Sequence, residues 1–133
     1  MAGRTAPLTA RRIRTAVELV LSRERRRARI SVTVVGAIRI RRLNVDWMGH
    51  DWPTDVLSFP LPGPTGELHG DIYVCRPVAL REAARLGIPA SQELLRLVIH
   101  GTLHVLGYAH PEDESRLASP MWRRQERYLA CLS

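Results

Sequence analysis

Residues 100–110 read HGTLHVLGYAH, and this stretch does more than any other to define the molecule. In an α-helix, His100 and His104 lie one turn apart on the same face, with roughly 5–6 Å between their Cβ atoms. That spacing lets two imidazoles reach one metal ion. Gly107 permits a positive φ, so the chain can turn back and bring His110 to the same ion as a third ligand. Three neutral imidazoles with a fourth position open to water form a catalytic zinc arrangement, although imidazole also suits copper, iron and nickel.

The same spacing occurs in the His-x-x-x-His-x-x-Gly-x-x-His motif of the metzincin proteases. In those enzymes a Glu follows the first His and acts as the general base for zinc-bound water. Gly101 holds that position here and has no side chain that could take a proton. The sequence therefore predicts the metal site and disfavours a peptidase.

Hydrophobic periodicity on both sides of this stretch predicts an α+β fold. We expect a small mixed β-sheet of about four strands packed against about five helices, with the metal site at the end of a central helix. Alternating β-branched residues predict strands at 29–35, 56–60 and 68–74, and residues 47–53 have the composition of a loop. Helices are expected at 8–27, 38–43, 77–86, 92–106 (capped by Ser91) and 112–132 (broken near Pro120). The apolar residues of 38–43 also allow a continued strand, and we favour the helix there.

The 133 residues suit one domain, and we expect a flexible arm at 1–8 before a single domain over 9–133. All twenty basic residues are Arg, and they are unevenly distributed. Residues 1–42 carry twelve Arg and two Glu, whereas residues 43–133 carry eight Arg and eleven acidic residues. This asymmetry predicts contact with RNA or an acidic membrane surface. Arg39, Arg41 and Arg42 are the candidate phosphate contacts, and a solvated helix face is the alternative interpretation.

Composition and cysteine spacing also indicate the cellular compartment. No apolar run approaches the ~20 residues of a membrane span, and no apolar stretch follows the N-terminal arginines as it does in a secretory signal. Cys75 and Cys131 lie outside any Cys-x-x-Cys motif, which favours reduced thiols, although a single disulfide stays possible. We therefore expect a cytoplasmic protein.

A few further residues have two open interpretations. Trp47 and Trp52 suit either stacking on unpaired bases or ordinary packing. Asp55 and Asp71 suit turns or strand ends better than catalysis. His69 is expected on the surface, within possible reach of the metal site.

At residues 100–110 the chain resembles the YbeY endoribonuclease family, whose motif reads His-Gly-x-Leu-His-Leu-x-Gly-Tyr-Asp-His. Residues 53–60 (PTDVLSFP) are similar to the family's Thr-Asp-Val-Leu-Ser-Phe-Pro block. Gly70-Asp71-Ile72 is similar to its Gly-Asp-Ile strand, and Leu43-Asn44 to its Leu-Asn pair. The matching blocks follow one another in the same order over about residues 12–130.

The resemblance implies a bacterial cytoplasmic endoribonuclease that is metal-dependent and specific for single strands. It implies a role in 3′-end maturation of small-subunit ribosomal RNA and in ribosome quality control. It also implies one Zn²⁺ per chain, bound by His100, His104 and His110. The implied partners are single-stranded ribosomal RNA, the small ribosomal subunit and ribosomal proteins, without DNA or membrane.

Two positions depart from the family pattern. Met48 stands where the family has Arg, and a thioether cannot pair with phosphate. Ala109 stands where the family has Asp, which removes an acid that could orient a His or carry a proton. The candidate replacements are Arg41 or Arg42 for the cation, and Glu112 or Asp113 for the acid. These departures favour an alternative hypothesis, in which the chain is an RNA-binding ribosome-assembly factor with a structural zinc and weak or no nuclease activity.

Overall fold

The computed structural model describes residues 8–109 and 114–132. The candidate ligand His110 and the candidate acids Glu112 and Asp113 lie outside the described residues, as does the expected arm apart from Leu8. The described helices are α1 (Ala10–Glu24), α2 (Ala37–Met48), α3 (Arg76–Leu86), α4 (Ala90–Val105) and α5 (Pro120–Cys131), with a 3₁₀ turn at Glu114–Ala118. The described strands are β1 (Ala28–Val35), β2 (Val56–Pro62) and β3 (Leu68–Cys75).

The three strands form one mixed sheet in the order β1-β3-β2. β1 runs parallel to β3, and β2 runs antiparallel to β3. The prediction of an α+β fold with a mixed sheet and five helices is therefore confirmed. The expected count of about four strands is corrected to three in the described part of the chain, because the remaining apolar segments there have helical periodicity and fold as helices.

Helix α4 carries the candidate metal ligands and lies in the core, packed between the sheet and helices α1, α3 and α5. Two glycines allow it to approach β3 closely. A Cβ on Gly101 would lie 2.7 Å from Cγ2 of Ile72, and a Cβ on Gly70 would lie 2.5 Å from Cγ2 of Val105. The absence of side chains at these two positions sets the depth at which α4 sits on the sheet.

Several element boundaries differ from the sequence prediction. Helix α1 ends at Glu24 because Arg25 adopts a left-handed conformation (φ 55°) that closes the helix. Helix α2 extends to Met48, so the predicted loop at 47–53 begins two residues later, at Gly49. Helix α4 begins at Ala90, so Ser91 is a buried residue of its first turn and does not cap it.

The described helices include none that is both long enough and apolar enough to cross a membrane. Cys75 is buried and Cys131 exposed, and both thiols are free.

Candidate metal centre

His100 and His104 project from successive turns of α4, as their spacing predicts. Their ring centroids lie 4.6 Å apart with the ring planes at 77°. Both side chains line a cavity of about 780 Å³ whose walls come from α3, α4, α5 and the start of β2. The pair therefore faces a space large enough for a substrate group.

A glutamine of α5 orients His100. Nδ1 of His100 lies 2.6 Å from Oε1 of Gln125, a residue that is only 1% exposed. Nε2 of Gln125 donates to Oε2 of Glu126 at 3.0 Å, and this bond fixes which way the amide points. Because an amide oxygen can only accept, Nδ1 of His100 carries the proton and Nε2 carries the lone pair that a metal requires.

The backbone orients His104 in the same way. Nδ1 of His104 lies 2.9 Å from the carbonyl oxygen of Tyr108, so this nitrogen also donates its proton and leaves the lone pair on Nε2. Two imidazoles held in this tautomer by oxygen acceptors form the usual support of a histidine-bound metal, and the donor set suits zinc. The described residues alone include no group of three His, Cys, Asp or Glu side chains placed to hold a metal.

A chain of charged groups holds Gln125 in place. Arg96 donates from Nε and Nη2 to the two carboxylate oxygens of Glu126, at 2.9 and 3.1 Å, and it also pairs with Glu93 one turn away on α4. Burial raises the pKa of Glu93, and the pairing with Arg96 partly opposes that rise. The paired carboxylate of Glu126 is the acceptor for Gln125, so the orientation of His100 depends on a partly buried ion-pair network that joins α4 to α5.

A second cluster holds the turn that follows α4. Gly107 adopts φ +105°, and the next residue, Tyr108, donates its hydroxyl to Oε1 of Glu24 at 2.7 Å. Arg124 donates to Oε2 of Glu24 at 2.8 Å, and the hydroxyl of Tyr128 also donates to this oxygen. Burial by itself would raise the pKa of Glu24, but these donors outweigh burial and the pKa is lowered. The end of α1 therefore fixes the residue whose carbonyl orients His104.

The cavity lining combines apolar, aromatic and acidic side chains. Met48, His50 and Trp52, from the end of α2 and the following connection, belong to the lining. Among the described residues, three carboxylates line the cavity, those of Asp55, Glu82 and Glu93. Among the described lining residues Arg96 is the one arginine, and it is engaged in the ion-pair network.

The profile of the endoribonuclease YbeY family matches residues 4–133. This chain belongs to that family. It is 39% identical over 138 residues to the endoribonuclease YbeY of Halorhodospira halophila, which covers 99% of this chain and 88% of that one. It is 44% identical over 111 residues to the endoribonuclease YbeY of Alkalilimnicola ehrlichii, covering 79% and 65%. The solution structure of a Thermotoga maritima protein matches with a TM-score of 0.65 at 31% identity, covering 92% of this chain and 79% of that one.

The two departures from the YbeY pattern lie at the same site. Met48 and Ala109 both line the cavity that contains His100 and His104. Met48 is 53% exposed, so an arginine there would have room to extend into solvent or towards a substrate.

The arginines predicted to bind RNA lie on α2 and are absent from the described lining of the cavity. The guanidinium of Arg39 lies 5.9 Å from the ring centroid of Tyr73, and Arg42 is exposed. Nε of Arg41 donates to Asp51 at 2.7 Å, which raises the pKa of Arg41 and offsets its charge. Arg41 is therefore a poor replacement for the missing cation at Met48.

The other acidic and histidine candidates, Asp71, Asp55 and His69, have partners within or beside the sheet. Oδ1 of Asp71 accepts a hydrogen bond from Oγ of Ser31 at 2.7 Å, across the β1–β3 pair. Oδ1 of Asp55 accepts from the backbone N–H of Val56 at 2.8 Å, at the start of β2, although Asp55 also lines the cavity. His69 lies on β3 beside Glu67 and is not among the described lining residues.

Proposed function

We propose that this chain is a zinc-dependent endoribonuclease that cleaves single-stranded ribosomal RNA in the cytoplasm, in 3′-end maturation of the small subunit and in ribosome quality control. The observation that carries the proposal is the pair His100 and His104 beside a cavity, with Nδ1 of each ring within hydrogen-bond distance of a protein oxygen. The relatives are named endoribonucleases, which supports RNA as the substrate.

In this proposal His100 and His104 hold the zinc through Nε2, and His110 is the third ligand. When bound, the ion would lower the pKa of a water molecule or polarise a phosphoryl oxygen. The protein's own contribution is orientation. Gln125 and the carbonyl of Tyr108 keep the two Nδ1 protons in place, so both imidazoles present a lone pair without a change of tautomer.

The test combines zinc analysis with an RNA cleavage assay. The native chain should contain about one zinc per molecule and cleave an unstructured RNA. His104→Ala should lose both properties, whereas the matched control His69→Ala, outside the cavity lining, should keep both. A native chain without stoichiometric metal would contradict the metal site, and cleavage that survives in His104→Ala would contradict its catalytic role.

The second candidate function is an RNA-binding ribosome-assembly factor with a structural zinc. Met48 favours it, because the cavity has no arginine at the position where the family carries one and Arg96 is already bound to two carboxylates. Under this hypothesis the native chain binds zinc and RNA but cleaves poorly, and Met48→Arg gains cleavage while the matched control Met48→Gln does not. Strong cleavage by the native chain would refute it.

A further inference from the structure

Two tryptophan side chains beside the cavity are unusually exposed. Trp47 is 70% exposed and Trp52 is 55% exposed. Tryptophan is among the side chains whose burial stabilises a fold most. Trp47 lies in the last turn of α2, and Trp52 lies in the connection from α2 to β2 and lines the cavity.

The connection that carries Trp52 is held firmly. Nδ2 of Asn44, a residue only 3% exposed, donates to the carbonyl oxygen of Trp52 at 2.9 Å. The carbonyl of Asn44 accepts the backbone N–H of His50 at 3.1 Å, and Arg41 pairs with Asp51. The backbone is therefore fixed while the ring stays in water, which lowers the entropic cost of binding a ligand on that ring.

The rings also have aromatic support from the protein. The centroid of His50 lies 4.6 Å from that of Trp52, and the centroid of Phe59 lies 6.0 Å from that of Trp47. Arg39 and Arg42 are exposed on the same helix as Trp47. Exposed aromatic rings and exposed arginines on one surface are the combination by which proteins bind single-stranded nucleic acid, and here Arg39, Arg42 and Trp47 share one helix.

We propose that Trp52 and Trp47 form a stacking surface for unpaired bases of the RNA whose backbone passes the cavity. The inference rests on the proposed function for its choice of RNA as ligand, and it adds the residues that select single strands. The bases of a duplex are already stacked and paired, so a duplex cannot offer their faces to these rings. The surface therefore recognises bases, and the arginines of α2 attract the backbone without regard to sequence.

The experiment measures the affinity of short labelled RNAs by fluorescence anisotropy, for the native chain and in a His104→Ala background that limits cleavage. The ligands are a single strand, a duplex of the same length and a single strand with abasic sites. Trp52→Ala and Trp47→Ala are compared with Trp52→Phe, which keeps a ring, and with Ile38→Ala, which removes another exposed apolar side chain (80%) of α2.

Each alanine variant should weaken single-strand binding about 5- to 140-fold, the equivalent of ~1–3 kcal/mol per stacked base. Trp52→Phe should keep most of the affinity, Ile38→Ala all of it, and the abasic strand should bind weakly to every variant. Equal affinity for abasic and intact strands, or alanine variants that match Ile38→Ala, would overturn the stacking surface. Base-dependent binding without cleavage would support the stacking surface and refute the nuclease. Cleavage with unaltered affinity in both alanine variants would support the nuclease and refute the stacking surface.

Discussion

Substitution of Gly101 by Ala tests how α4 is positioned. Helix propensity alone predicts that Ala in a helix interior stabilises by ~1 kcal/mol relative to Gly. The structure predicts the opposite sign. A Cβ at this position would lie 2.7 Å from Cγ2 of Ile72 and 3.2 Å from its Cγ1 and Cδ1, and Ile72 is completely buried.

The magnitude follows from these contacts. Adding a methyl group to a well-packed core costs ~1–3 kcal/mol, and three contacts with one immobile side chain favour the upper half of that range. After subtraction of the gain in helix propensity, we expect Gly101→Ala to lower the free energy of unfolding by about 1–2 kcal/mol. For 133 residues that corresponds to a fall of roughly 4–7 °C in Tm.

Urea and thermal unfolding of a double-mutant cycle isolate the contact. Ile72→Ala alone should cost ~2–5 kcal/mol because it opens a cavity. In the Ile72→Ala background the clashing atoms are gone, so Gly101→Ala should be neutral or stabilising by up to ~1 kcal/mol. A rise in Tm for Gly101→Ala in the native background, or equal effects in both backgrounds, would refute the close-packing argument. If the argument holds, packing excludes the glutamate of a metzincin at this position.

Three further predictions concern the groups around the site. Gln125→Leu should weaken zinc binding about 10- to 100-fold in a chelator competition, because His100 loses its orienting acceptor. Gln125→Glu keeps an acceptor and should retain most of the zinc affinity. Equal affinities in the native chain and both variants would contradict the orienting role of Gln125. Arg96→Leu should cost ~3 kcal/mol in urea unfolding because it leaves the buried carboxylate of Glu93 without its partner, whereas Glu126 is 34% exposed and adds little. Arg85→Leu, which breaks an exposed pair, should cost under ~1 kcal/mol. Similar losses in the two variants would argue against a buried pair at Arg96. The folded state lowers the pKa of Glu24, so its stabilising contribution is complete above the unfolded pKa near 4.5 and is lost as pH falls through the folded value. Unfolding between pH 3 and 6 should therefore be less pH-dependent in Glu24→Gln than in the native chain, and identical profiles would refute the assignment.

The pairing of His100 with His104 could be predicted from the sequence because it depends only on helical spacing. The mixed sheet and its helices were predictable for a similar reason, since apolar periodicity specifies which face of an element is buried. The residues that orient the two histidines could not be predicted from the sequence. Gln125 acts on a residue 25 positions away and Glu24 on one 84 positions away. Periodicity places α1 and α5 against the core but does not state which polar side chains meet there.

Local rules also miss the partners of single residues. Ser91 has a strong preference for helix N-caps, but Pro89 stands at the cap position and the helix starts two residues earlier than a Ser91 cap would allow. Arg41 has the charge and exposure of a phosphate contact, yet it pairs with Asp51 ten positions later. In both cases the decisive partner lies outside the pattern from which the role was inferred.

His100 and His104 are oriented by different acceptors, so substitutions at the two acceptors should affect the site differently. His100 depends on α5, through Gln125 and the ion-pair network of Arg96, whereas His104 depends on the carbonyl of Tyr108 in its own turn. Loss of the Gln125 amide therefore disturbs His100 and leaves the acceptor of His104 in place, so zinc binding should weaken without being abolished. The turn at Gly107 and Tyr108 is the more sensitive point, because it orients His104 and also leads directly into the segment that carries His110.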